Sequence, residues 1–165
     1  MQFDGMNDYV DLGASSTLHH SGNFSVGMWI NIPEVPSQNG EVIIGDYQGY
    51  YKGYSLYVNT AGKIYFGVGR QSDSTTQDVT STQVLTLNTW YHIVATYDGA
   101  PNVFVNAIKT TGVTYSPIEA ETGNTRIGIG QWVTRYFNGT IDEVQIYNRS
   151  LTADEIKELY ESRVQ

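Results

Sequence analysis

The sequence contains no cysteine and only four prolines among its 165 residues. Without cysteine there is no disulfide framework, thiolate metal site or cysteine nucleophile, so stability must come from the hydrophobic core. Basic residues are also few: nine Lys and Arg stand against 17 Asp and Glu, a formal net charge of −8. Nucleic acids and anionic membranes are bound through basic surfaces. We therefore expect neither as a partner.

Long apolar runs are missing as well. No stretch approaches the roughly 18–20 residues needed to span a bilayer, so membrane insertion is not expected. Residues 1–5 have neither the basic start nor the apolar stretch of a secretory signal. Three glycosylation sequons, at Asn23, Asn138 and Asn148, weakly indicate an extracellular setting. The length and the 40% hydrophobic content predict one domain over residues 1–165 with a sizeable core.

Short runs of β-branched and aromatic residues dominate the chain up to about residue 147. Apolar and polar side chains alternate in them, which is typical of strands, and Gly, Asn, Asp and Pro separate them. The polar segment 71–83 predicts a loop with a weak edge strand. Strands at this spacing, without helices between them, indicate an all-β fold of two antiparallel sheets packed as a sandwich. The predicted strands are 8–12, 24–31, 41–47, 53–59, 63–69, 89–98, 101–106, 125–131 and 137–147.

The pattern changes once, near the C-terminus. Thr152 and Glu155 have the spacing of a capping box, and Leu151 can pack against Ile156 as a hydrophobic staple. Apolar residues then follow at helical spacing. We predict a short C-terminal helix that covers one part of the sandwich.

Four segments resemble the laminin-G-like branch of the concanavalin A-like lectin/glucanase superfamily, which is related in fold to the pentraxins. They are 3–10, 24–30, 90–99 and 137–149, and the last is followed by the predicted helix. The resemblance implies a jelly-roll sandwich. It leaves function open, because this fold carries lectins, carbohydrate-binding modules, adhesion domains and glycosidases. One departure is Ala107, where the family usually has glycine in a hairpin turn.

An enzyme of the glucanase branch is expected to carry clustered carboxylates on one strand, because glycoside cleavage needs two of them about 5–10 Å apart. The acidic pairs in this chain are Glu119 with Glu121 and Asp142 with Glu143. Neither matches the glucanase pattern Glu-x-Asp-x-Glu. His92 lies in a predicted strand and is interpreted as a half-buried residue that a neighbour satisfies, rather than as a catalytic base. We therefore predict that the chain is not an enzyme.

A structural calcium ion is one expectation for the last strand. Asp142 is in phase with Val144 and Ile146, so its carboxylate lies on the same face as these apolar side chains unless a bulge intervenes. A carboxylate buried on that face needs a partner. Ca²⁺ would serve, and the family resemblance implies such an ion near the junction of the first and last strands. Asp4 is the predicted second ligand, with Asp8 in reserve. The alternative is that Asp4 and Asp142 only cap backbone amides in turns.

Aromatic residues in two loops predict a sugar site. Sugars present an apolar face and a ring of hydroxyl groups, so their sites combine aromatic rings with a few polar side chains. By contrast, Trp29 and Trp90 lie in predicted strands and are expected in the core. The predicted ligand-binding residues are Asp46, Tyr47, Tyr50 and Tyr51 in the first loop and Gln131, Trp132, Arg135 and Tyr136 in the second.

Together these patterns predict a non-catalytic carbohydrate-binding or adhesion module. We expect it to be a domain of a larger secreted or cell-surface protein, with a glycan or polysaccharide as its partner. Two alternatives stay open at this point. One is a protein–protein adhesion domain, with a surface protein as partner, that binds no sugar; the other is an unusual glycoside hydrolase.

Overall fold

The computed structural model describes residues 1–46, 52–70, 74–114, 117–130 and 135–164. Alternating apolar residues form strands throughout this part of the chain, and a helix forms where the period changes. The elements are β1 (Gln2–Asp4), β2 (Val10–Asp11), β3 (Phe24–Asn31), β4 (Glu41–Gly45), β5 (Tyr54–Val58), β6 (Ile64–Arg70), β7 (Thr75–Thr80), β8 (Trp90–Tyr97), β9 (Pro101–Val105), β10 (Ile108–Thr111), β11 (Arg126–Ile127), β12 (Asn138–Tyr147) and α1 (Ala153–Glu161).

The strands form two six-stranded sheets. Sheet A has the order β1-β12-β3-β8-β9-β10, and sheet B has the order β2-β11-β4-β5-β6-β7. The pairings are antiparallel. The predicted all-β, two-sheet jelly-roll sandwich is therefore confirmed. The sequence pattern missed β1 and β10, because strands of three and four residues are too short to display a period.

The core lies between the sheets and is built around Phe24 of β3. Its ring lies 5.1 Å from that of Tyr54 and 6.1 Å from that of Phe66, which both belong to sheet B. Within sheet A the same ring stacks with Tyr97 at 6.2 Å. These four side chains are almost fully buried. Aromatic packing of this kind adds to the burial energy and holds the two sheets together.

Helix α1 lies against the outer face of sheet A. Leu151 and Ile156 are buried with Val94 of β8 and Phe104 of β9. The predicted capping box is present: the Thr152 hydroxyl accepts a hydrogen bond from the Glu155 amide, and the Glu155 carboxylate accepts one from the Thr152 amide. Within the described residues, no helix is long and apolar enough to cross a membrane.

Asp46 is a carboxylate in the interior, directly after β4. It is fully buried, and its Oδ1 atom accepts a hydrogen bond of 2.8 Å from the Tyr54 amide. Its Oδ2 atom has no hydrogen-bond partner among the described residues. Burial raises the pKa of Asp46 to about 6. Gly53 makes room for it, since a Cβ atom there would stand 2.2 Å from Oδ1 and the φ angle is +71°.

Ala107 occupies a backbone conformation that favours glycine. The turn between β9 and β10 has two residues, and both have positive φ, 49° at Asn106 and 63° at Ala107. This is the pattern of a type I′ hairpin, whose twist suits antiparallel strands. The Asn106 side chain helps to fix it by accepting a hydrogen bond of 2.9 Å from the His92 amide. The departure from the family's glycine thus leaves the turn in place but strains Ala107.

Replacing Asp46 with Asn is expected to change how stability depends on pH. Because the folded-state pKa is raised above the unfolded value, protonation of Asp46 stabilises the fold below about pH 4, and that stability is lost as pH rises through about 6. The substituted amide would be neutral at every pH and would keep the bond from the Tyr54 amide. The stability of Asp46→Asn relative to wild type should therefore increase by about 2 kcal/mol between pH 4 and pH 8. Urea unfolding across this range measures it, and a pH-independent difference would contradict the assignment.

Replacing Ala107 with Gly should stabilise the protein. Glycine adopts positive φ without steric strain, so we expect a gain of about 1 kcal/mol in the free energy of unfolding. Ala61→Gly is a matched control, because Ala61 is an exposed turn residue outside the positive-φ set. Glycine there only loosens the unfolded chain, so that variant should lose up to about 1 kcal/mol. Thermal unfolding of both variants gives the comparison, and equal effects would argue against strain at Ala107.

Candidate functional site

Two tyrosines form an aromatic platform on the outer face of sheet B. Tyr57 of β5 and Tyr65 of β6 are opposite each other in the strand register. Their rings stack, with centroids 4.3 Å apart and 24° between the ring planes. The connecting turn is fixed by Asn59, whose side-chain oxygen accepts hydrogen bonds from the amides of Ala61 and Lys63 at 2.9 and 3.0 Å. The hairpin therefore holds both rings in place without help from a flexible loop.

Small residues keep the platform open. Gly67 lies two residues beyond Tyr65 on the same face, and a Cβ atom there would stand 2.9 Å from the Tyr65 ring. Any side chain at position 67 would displace that ring. Asp78 of β7 is paired with Gly67 in the register, and its side chain is exposed. The Tyr65 ring thus lies across bare backbone and has a carboxylate beside it.

A polar cleft of about 530 Å³ borders the platform. Its described walls combine the Tyr57 ring with amide and hydroxyl side chains, a mixture that suits a ligand with an apolar face and many hydroxyl groups. The loop after β3 supplies one wall, and the β5–β6 turn supplies the other. The lining residues are Ser37, Gln38, Asn39, Tyr57, Asn59 and Thr60.

The phenols of the platform are neutral hydrogen-bonding groups at ordinary pH. Burial raises the pKa of Tyr57 and that of Tyr65, and the nearby charge of Asp78 acts in the same direction on both. The positive charge of Arg135 lowers the pKa of Tyr57 and offsets part of this rise. Side-chain interactions with Asp78 and Tyr57 raise the pKa of Tyr65 further. The platform therefore has one positive and one negative group near it.

The predicted sugar-site residues have different outcomes. Tyr47, Tyr50, Tyr51, Gln131 and Trp132 lie outside the described residues. Of the other three, Arg135 is near enough to Tyr57 for its charge to lower the pKa of that phenol. Asp46 is fully buried and offers no surface to a ligand in this structure. Tyr136 is half-buried and forms an isolated bridge with Ile129.

The described flanks of the two predicted loops lie at opposite ends of the β4–β11 pair. Asp46 follows Gly45 at the C-terminal end of β4, beside the start of β11. Gly128, which follows β11, lies at the other end, where its amide donates a hydrogen bond to the Ile43 carbonyl at 2.8 Å. Tyr57 and Tyr65, which lie in the strands between these ends, were not predicted. The sequence did contain a pattern that could have identified them. Each tyrosine lies between apolar residues in its strand, so its side chain points to the face opposite the core.

The two predicted calcium ligands are also separated. Asp4 pairs with Asn138, four residues before Asp142 on β12, which corresponds to about 13 Å along the strand. Each is exposed and accepts backbone hydrogen bonds: Asp4 from the Met6 amide at 2.8 Å, and Asp142 from the Glu143 amide at 2.9 Å. No group of three or more His, Asp or Glu side chains suited to a metal occurs in the described part of the chain. The calcium site stays a prediction.

A bulge explains why Asp142 is exposed. The pairing of β12 with β3 shifts between Asp142 and Gln145, and Glu143 has a φ of 51°. The expected phase of Asp142 with the apolar residues that follow is therefore broken. The tryptophans differ from expectation too, because Trp90 is 43% exposed and Trp29 is half-buried on the outer face of sheet A.

His92 is closed to solvent. It is 5% exposed and packs 5.2 Å from the Trp29 ring, and burial lowers its pKa to about 4. Its Nδ1 atom has no hydrogen-bond partner in the described ranges, so the expected neighbour that satisfies it is not seen there. A neutral, covered imidazole of this kind does not support a role as a catalytic base.

Comparison with solved structures gives the same fold. The binding domain of botulinum neurotoxin serotype G has a TM-score of 0.74 at 15% identity, with 98% of this chain covered. The serotype D binding domain gives 0.76 at 16% identity and 98% coverage. The binding domain of Paraclostridial Mosquitocidal Protein 1 gives 0.78 at 13% identity and 97% coverage. This chain spans 42% of each of those chains, and the low identities establish likeness of fold alone.

Comparison at the level of sequence identifies the family. No curated protein matches the chain. A laminin-G family model, described as the concanavalin A-like lectin/glucanases superfamily, matches residues 4–157. This range covers nearly all of the chain, and the predicted resemblance is confirmed. The chain belongs to the concanavalin A-like lectin/glucanase superfamily.

Proposed function

We propose that this chain is a non-catalytic carbohydrate-binding module whose binding face is the outer face of sheet B. The observation that carries the proposal is the stacked pair Tyr57 and Tyr65 beside a cleft of amide and hydroxyl side chains. Aromatic rings that lie on an open sheet face bind the apolar face of a sugar ring. The polar wall supplies directional hydrogen bonds to its hydroxyl groups.

The rigidity of the platform favours binding. Both rings come from paired strands, and the turn that joins those strands is held by Asn59. A ligand would lose little affinity to ordering of the protein, because the aromatic groups are already in position. The exposed side chains of Gln38 and Asn39, in the opposite wall, are free to adapt to different arrangements of hydroxyl groups.

The composition of the cleft favours binding over hydrolysis. Glycoside cleavage needs two carboxyl groups on either side of the scissile bond. The described lining of the cleft contains none, and Asp78 is a single carboxylate beside Tyr65. The similar solved structures also favour binding over hydrolysis, since they are toxin binding domains. The superfamily also contains glucanases, so an assay for hydrolysis belongs with the binding assay.

Protein–protein adhesion is the second candidate function. It is favoured by the edge of sheet A, where Ile108 of β10 is 58% exposed and the nearby Val113 is 63% exposed. An edge strand with exposed apolar side chains can pair with a partner protein. For either function we place the chain outside the cell or at its surface, as a part of a larger protein. A structural calcium ion remains a separate proposal.

Replacing Tyr57 with Ala should abolish most polysaccharide binding. We expect wild type to be retarded in affinity electrophoresis by at least one of a panel of plant, algal and microbial polysaccharides. Loss of an aromatic platform residue should weaken that retardation about tenfold or more. Tyr65→Ala should have a similar effect, since Tyr65 supports the Tyr57 ring.

The matched control is Tyr9→Ala, which removes an exposed tyrosine that is not among the described residues lining the cleft. Its retardation should equal that of wild type. Retardation that survives in both platform variants would exclude this face, and no retardation of wild type in any gel would favour the adhesion function. Running the gels with calcium and then with a chelator tests the ion separately. Release of reducing sugar from a retarding polysaccharide would instead indicate hydrolysis.

A further inference from the structure

A second cleft lies on the outer face of sheet A, away from the tyrosine platform. Its volume is about 420 Å³. Two tryptophans and two carboxylates line it, together with residues that follow helix α1. The lining residues are Trp29, Trp90, Asp142, Glu143, Arg163 and Val164. None of these belongs to the polysaccharide site proposed above.

The strand register places the aromatic and acidic groups side by side. Asp142 of β12, Trp29 of β3 and His92 of β8 are directly paired across three strands. Trp90 lies two residues before His92 and therefore on the same face. Its indole is 43% exposed. The Trp29 ring contacts those of His92 at 5.2 Å and Tyr160 at 5.9 Å, which hold it in place.

The bulge in β12 brings both carboxylates to this cleft. Adjacent residues of a regular strand point to opposite faces, so Asp142 and Glu143 would normally be divided between the two sides of the sheet. The register shift and the positive φ of Glu143 remove that alternation, and both residues line the same cleft. Bulges commonly re-aim side chains in this way beside binding sites.

The charges in the cleft favour a cation. Glu143 forms an ion pair with Arg163, whose side chain is 59% exposed. Asp142 has no ion-pair partner in the described ranges, and the cleft therefore carries a net negative charge. Tryptophan provides the strongest aromatic face for a cation, particularly one that is weakly hydrated. An exposed indole beside an unpaired carboxylate is less suited to an anion or to a purely apolar group.

We propose that this cleft binds an alkylated ammonium group. The methyl groups of such a cation would contact Trp29 and Trp90, and its charge would face Asp142 and Glu143. Arg163 is then a cation of the protein itself that competes for the same carboxylates. The bound group can come from a free small molecule or from a lipid headgroup, since both present the same chemistry.

Choline and its uncharged isostere 3,3-dimethyl-1-butanol test the proposal directly. Isothermal titration at constant ionic strength should give saturable binding of choline and binding of the isostere that is about tenfold weaker. Asp142→Asn and Trp90→Leu should each weaken choline binding severalfold. Arg163→Gln should strengthen it, because the competing guanidinium is removed. Equal binding of choline and the isostere, or no binding of either, would overturn the proposal.

Controls separate this site from the rest of the surface. Tyr9→Ala should leave choline binding unchanged, and circular dichroism should show that Trp90→Leu is folded. Retention of full choline affinity by folded Asp142→Asn and Trp90→Leu would place the binding elsewhere and overturn the assignment. Flotation with phosphatidylcholine vesicles, compared with phosphatidylglycerol vesicles, identifies the source: selective binding to the former indicates a lipid headgroup, and choline binding without flotation indicates a free small molecule.

Discussion

The packing of Phe24 between the two sheets is the interaction on which the rest of the structure depends. Its ring contacts Tyr54 and Phe66 across the sandwich and Tyr97 within its own sheet. Once these rings are buried, the alternation of every paired strand is fixed, because a slip of one residue would move the whole apolar set to solvent. A ligand can therefore bind only at the outer faces of the sheets or at the loops. The positions of Tyr57, Tyr65 and Trp90 follow from this constraint.

The two outer faces are built differently. On sheet A, helix α1 covers Val94 and Phe104, and what is left beside it is an acidic cleft with two tryptophans. On sheet B, Gly67 leaves the face open, so the Tyr65 ring of the stacked pair lies beside uncovered backbone. One scaffold thus presents a neutral platform that suits hydroxyl groups and a negatively charged cleft that suits a cation. The overall charge of −8 is compatible with both ligand classes.

Much of the fold could be predicted because its determinants are local. Alternation located most strands, the Thr152 and Glu155 spacing located α1, and the quoted segments identified the family. The proposed binding sites were harder to predict for two physical reasons. The sequence reasoning looked for exposed aromatic residues in loops and did not ask which strand tyrosines point to the outer face of a sheet. Tyr57 and Tyr65 were therefore not selected. The bulge at Glu143 depends on pairing with a distant strand, so the exposure of Asp142 follows from no local pattern.

Asp46 illustrates a further limit of sequence reasoning. A carboxylate beside tyrosines and glycines is typical of a sugar site, yet Asp46 is fully buried and accepts a hydrogen bond from the Tyr54 amide. Burial of this kind depends on the three-dimensional fold and does not follow from the local sequence. The same reasoning applies to His92, which is covered by aromatic rings.

The most direct test of the account is to map sugar binding onto the backbone by NMR. Amide shifts of isotopically labelled protein would be followed during titration with a mixture of soluble glucan, xylan and galactan oligosaccharides. The account predicts saturable shifts that centre on Tyr57, Tyr65 and Gly67 and extend to Gln38 and Asn39, with sheet A unchanged. Shifts that centre on sheet A, or that leave the outer face of sheet B untouched while sugar binds elsewhere, would contradict it.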